Sequence, residues 1–169
     1  MCTYTREERM ATQTAKNRRI DSLLAEYGES HQNATNKFIH WICVPVIVWT
    51  VTALLWSLPV PSWFIAVPFL NWSTLVITLA TLYYLTLSVP LAFGMVVIGA
   101  ICSAINASYG LPLPLWQTAL VVFVVAWIGQ FIGHKIEGKK PSFFKDIQFL
   151  LIGPAWLLHF LYRKAGIKY

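Results

Sequence analysis

The chain has 169 residues, 57% of them hydrophobic, eight tryptophans and a mean hydropathy of +0.58, which is far from the make-up of a soluble domain. The 97 residues between Lys37 and Lys135 contain no Asp, Glu, Lys or Arg. A soluble fold needs charged surface within such a length, whereas each charge at mid-bilayer costs roughly 2.5 to 3.5 kcal/mol, so the block reads as membrane-embedded. The net charge of +6 does not point to nucleic acid, because the basic residues flank the apolar block instead of forming a stripe.

In chain order, residues 1–19 are expected to form a flexible leader, polar and without the apolar stretch of a cleavable signal, before a single helical membrane domain at 20–169. The segment DSLLAEY starts an amphipathic helix that carries on toward His31. The residues HQNATNK then favour a turn and a helix cap. Apolar runs at 39–58, 73–88, 89–107 and 115–133 predict four crossings, joined by a Pro- and Trp-rich connection, a tight hairpin at Pro90 and the turn-rich NASYGLPLP. Four crossings keep both basic flanks (Lys16, Arg18, Arg19 and Lys37 before the block, Lys135, Lys139, Lys140 and Lys145 after it) on the cytoplasmic side. The last apolar stretch, 147–162, is interrupted by Gly153 and Pro154 and is short for a span, so it predicts a re-entrant or interfacial pair of half-helices. The expected fold is therefore an all-α integral membrane bundle in a bacterial inner membrane, with both termini cytoplasmic.

With this topology His31, His40, His134 and His159 all fall at cytoplasmic ends of apolar segments. Imidazole suits iron, zinc, copper and nickel, so their convergence makes a candidate metal site. Tyr27 precedes His31 by four residues, Asn36 precedes His40 and Gln130 precedes His134, which places a polar neighbour on each histidine's helical face. His31 and His40 are nine residues apart and face opposite ways on a straight helix, so they converge only if the chain bends between them. Glu137 is placed to be a ligand, a base or the partner of a nearby lysine, and Lys37 and Lys135 to meet an acidic head group or anionic lipid. Cys2, Cys43 and Cys102 show neither metal spacing nor a disulfide framework. Signatures of membrane desaturases, zinc proteases, serine hydrolases and nucleotide-binding loops are missing.

Two blocks, YGESHQNATNKFIHWICVP and WIGQFIGHKIEGKKPSFFKDIQFLLIGP, combine Y-x3-H-x4-N-x3-H-x4-P with Q-x3-H-x2-E-x3-P. Over about residues 20 to 165 the chain resembles the membrane-bound 2-hydroxy fatty acid dioxygenases related to the fungal enzyme of phytosphingosine breakdown. That resemblance implies Fe(II) held by His31, His40 and His134, with His159 as a possible fourth ligand outside the two blocks. It also implies α-oxidation, in which a 2-hydroxy fatty acid and O2 give the acid one carbon shorter. A zinc-dependent membrane hydrolase using the same histidines, and a non-catalytic scaffold or small transporter, are the competing readings. The sequence leaves the oligomeric state open, a homodimer included.

Overall fold

The computed structural model describes residues 18–141 and 148–169, so nearly all of the expected leader lies outside the described residues. Among these the chain is all-α, with seven helices: α1 (Arg19–Glu29), α2 (Ala34–Trp56), α3 (Ser62–Ile65), α4 (Trp72–Leu85), α5 (Val89–Ala107), α6 (Leu115–Glu137) and α7 (Phe149–Lys164).

Helix α1 buries Ile20, Leu23, Leu24 and Tyr27, the 3-4-7 spacing of an amphipathic helix, and packs this stripe on α7 against Phe149, Ile152 and Trp156. The chain leaves the helix at Ser30, as the turn-forming residues predict. It re-enters helical geometry at Ala34 because the Asn33 side chain accepts from the backbone N–H of Thr35 (2.9 Å) and Asn36 (3.4 Å).

Helices α2, α5 and α6 have 23, 19 and 23 residues and are long and apolar enough to cross a membrane. Helix α4 is shorter than the predicted second span. Asn71 and Thr74 form a capping box at its start, and it stops at Leu85 after 14 residues, roughly 21 Å. Ser88 then caps α5, so the residues expected to complete the second span form the hairpin instead. Helix α6 runs one turn past the predicted 133 before Gly138, at φ 73°, ends it in a left-handed cap, and this extra turn carries His134 and Glu137.

The final apolar stretch departs from expectation. Phe149–Lys164 is one helix of 16 residues running through Gly153 and Pro154, not two half-helices. Pro154 withholds one N–H, but the neighbouring Leu151 carbonyl accepts from the buried Tyr84 hydroxyl at 2.6 Å, and Gly153 lets Tyr27 pack on the helix.

The most extensive helix contact joins α2 and α6. Gly129 and Gly133 form a small-xxx-small pair on α6, and each faces α2: a methyl group on Gly129 would come 2.9 Å from Cys43 Sγ, and one on Gly133 would collide with Asn36 Oδ1. Farther along, Trp49 of α2 donates to Asn106 of α5 at 3.0 Å. The opposite side of α6 exposes Val121, Val125, Ile128 and Ile132 at helical spacing, an apolar face suited to lipid.

Candidate metal centre

Because α2 starts where α6 ends, the bend at HQNATNK and the last turn of α6 meet. His31 comes from the bend, His40 from the second turn of α2 and His134 from the last turn of α6, with 0%, 1% and 5% of their surfaces exposed. Their ring centroids lie 4.3 Å (His31–His40), 5.0 Å (His31–His134) and 4.9 Å (His40–His134) apart. One nitrogen from each lies within 4.8 Å of the others, a grouping that can hold a metal ion.

Two of the rings are oriented by main chain. His31 Nδ1 is 2.6 Å from the Tyr27 carbonyl and His40 Nδ1 is 2.9 Å from the Asn36 carbonyl. A carbonyl only accepts, so each Nδ1 carries the proton and each Nε2 keeps its lone pair. The four-residue spacings therefore act through backbone oxygens, where side chains were expected. The Tyr27 ring contributes separately by stacking flat on His31, with centroids 4.2 Å apart and planes at 12°. Burial lowers the pKa of His31 to about 4, which leaves it neutral at neutral pH.

His31 Nε2 and His134 Nδ1 are buried without a hydrogen-bond partner. Orphaned buried nitrogens are costly unless something occupies them, and neutral imidazoles with free lone pairs are the donor type a transition metal takes. The residues present fit a metal.

Glu137 makes contacts that the spacing did not suggest. Its carboxylate accepts from the backbone N–H of Gln32 and Asn33, both at 2.8 Å, and from Asn36 Nδ2 at 3.0 Å. It thus fastens the end of α6 across the bend that carries His31, at the positive end of α2. Asn36 is fully buried and also donates to the Ser30 carbonyl at 3.1 Å, closing the same knot. Lys139, expected only as part of the basic flank, donates to the Glu29 carbonyl at 2.7 Å and ties the end of α6 to the end of α1. Gly133→Ala is expected to force Asn36 out of this knot. Overpacking of this kind costs about 1 to 3 kcal/mol, so a lower midpoint of thermal unfolding in detergent should accompany weaker metal retention.

Gln130 is buried and, with Tyr27, His40 and His134, lines a cavity of about 60 Å³ beside the cluster. Lys37 is half-buried near His31, while Lys135 is exposed. His159 is not brought to the other three. It sits one turn beyond Trp156 on α7, its Nδ1 bonds the Tyr169 hydroxyl, and it lines a separate cavity with Arg18, Asp21 and Arg163.

A family model described as 2-hydroxy-palmitic acid dioxygenase Mpo1-like matches residues 18–165. The chain belongs to that family. No curated protein and no solved structure matches it. The span shared with the Mpo1-like family takes in all three clustered histidines and Glu137. The family is named for dioxygenases of a 2-hydroxy fatty acid, and the centre described here is a buried three-histidine cluster able to hold a metal.

Proposed function

We propose that this protein is an Fe(II)-dependent dioxygenase that shortens 2-hydroxy fatty acids by one carbon at the cytoplasmic membrane face. The observation that carries this reading is the convergence of three buried imidazoles, two of which present nitrogens with no protein partner. In balanced form, a 2-hydroxy acid and O2 give the shorter acid, CO2 and water. The bond between carbons 1 and 2 breaks, carbon 2 rises from the alcohol to the acid level, and O2 takes up the four electrons, so no separate reductant is needed. Bound Fe(II) would supply the centre at which dioxygen and the 2-hydroxy acid meet.

The protein's own residues would prepare that meeting. His31, His40 and His134 hold the metal; the Tyr27 and Asn36 carbonyls keep the first two rings in the metal-binding tautomer. Tyr27 and Gln130 border the reacting space, Glu137 and Asn36 fix the bend, and Lys37 and Lys135 draw an anionic head group toward this end of the bundle. Three uncharged ligands leave the cation's charge uncompensated, which favours an acid substrate over a neutral lipid.

The topology we favour has four crossings within one membrane domain, both basic flanks cytoplasmic. Glu137 at the end of α6 bonds residues at the start of α2, so the path between them returns to the side it left. With the three long helices taken as spans, an even number of crossings supports a crossing by α4 as well. Helix α7, too short to span, lies at the interface with its basic end.

The test is anaerobic loading with Fe(II) followed by oxygen uptake with a 2-hydroxy acid, comparing wild type with His134→Ala. Uptake in the wild type alone, with one-carbon-shorter product, is expected. Protein that purifies with stoichiometric zinc and consumes no oxygen would overturn the reading in favour of a hydrolase.

A further inference from the structure

A second, larger cavity of about 630 Å³ opens deeper in the bundle, among α2, α4, α5, α6 and α7. It shares Ile47, Val48, Trp127, Leu150 and Pro154 with the small cavity that holds His40 and His134, so the two lie side by side with these residues between them. Its deep end is reached at Val51 on α2 and Phe123 on α6. Each of these is eleven residues from its own helix's cluster histidine, roughly 16 Å at the helical rise. Ile77 and Gly99 form the wall between α4 and α5 at that depth, and they pack so closely that a methyl group on Gly99 would come 2.7 Å from Ile77.

The two compartments differ in size and chemistry. The cavity at the histidines, about 60 Å³, holds on the order of two water-sized groups. That is room for a carboxyl and a hydroxyl but not for a phosphodiester head group. The deeper cavity is an order of magnitude larger, and Ile47, Val48, Val51, Ile77 and Phe123 among its walls are apolar. An occupant matching both has one small acidic head and a single long hydrocarbon tail.

We propose that the deep cavity is the acyl-chain subsite of the enzyme, with Phe123 and Ile77 setting the longest tail it accepts and Ala80 lining its middle. This rests on the dioxygenase reading only for the identity of the head group. The tail lies among the helices while the head faces the histidines, and chain length is selected by how far the tail reaches past Trp127.

Two measurements test it. In the iron-loaded enzyme, Ala80→Phe is expected to lower kcat/KM for a sixteen-carbon relative to a ten-carbon 2-hydroxy acid by about tenfold or more, within the range that pocket methylenes discriminate. Phe123→Ala is expected to shift the preference toward twenty carbons. Separately, wild-type protein in lipid nanodiscs, with or without metal, is illuminated with a 2-hydroxy acid carrying a diazirine at its terminal carbon or close to its head, and the labelled residues are mapped by mass spectrometry. The terminal probe should label Val51, Ile77 or Phe123 and the head-proximal probe Ile47, Val48 or Trp127, both displaced by excess unlabelled 2-hydroxy palmitic acid. Labels spread over the outward-facing Val121 and Val125, or undiminished by competitor, would show that membrane lipid fills the cavity and overturn the proposal. If no acid of any length is turned over but the labelling pattern holds, the subsite stands and the dioxygenase reading fails. If turnover occurs while the labelling scatters and neither variant moves the length preference, the subsite alone fails.

Discussion

Alanine at His31, His40 or His134 is expected to remove iron binding and reduce oxygen uptake to background, while His159→Ala keeps both. The three clustered rings offer nitrogens within 4.8 Å of one another, and each comes from a different point of the chain, so none has a spare neighbour to replace it. Loss of groups that merely orient a ligand costs about 10- to 100-fold in metal affinity, so loss of a ligand should exceed a hundredfold. His159 points to another cavity and is bonded to Tyr169. The comparison needs only metal analysis of the purified variants beside an oxygen electrode. Full iron content in His40→Ala, or its loss in His159→Ala, would mean that the centre has been misassigned.

The second large effect is expected at Glu137. Its carboxylate receives three hydrogen bonds from the bend and α2, two of them from main chain at 2.8 Å. Such bonds to a charged acceptor are worth about 1.5 to 3 kcal/mol each in favourable settings, but this carboxylate is only partly buried and solvent screens it, so Glu137→Ala should cost about 1 to 3 kcal/mol in all. The more informative loss is in metal affinity, about 10- to 100-fold, because freeing the bend lets His31 swing from its partners. Glu137→Gln should fall between, since an amide keeps one acceptor oxygen. A metal-binding isotherm for the three proteins settles the role: if glutamine abolished binding as completely as alanine at a histidine does, Glu137 would be a ligand and not a brace.

Much of the fold and of the cluster is legible in the sequence. The charge-free block predicts long apolar helices, and three are present. The turn chemistry of Asn33 to Asn36 predicts the bend, and the bend lets two histidines nine residues apart face each other. The features that the sequence does not announce have physical reasons. Glu137 binds mainly backbone N–H groups, which every residue but proline carries, so no side-chain pattern announces its partners. The Gly129–Gly133 pair is a close-packing signal present in the sequence that the reading of the histidines beside it did not use. Gly153 and Pro154 looked like a break because local propensity disfavours them in a helix, yet Tyr27 and Tyr84 supply contacts at that point that only the folded bundle provides. His159 lies one turn beyond Trp156 on α7, where it bonds Tyr169 and not the other histidines, a placement its sequence position does not reveal.

The brace between Asn36 and Glu137 joins positions 101 residues apart. During synthesis the bend and α2 therefore present His31 and His40 long before their partners, and only the emergence of the last turn of α6 completes the set. On the proposed iron reading, metal loading is then a late event of assembly, and a chain truncated before His134 should acquire no iron.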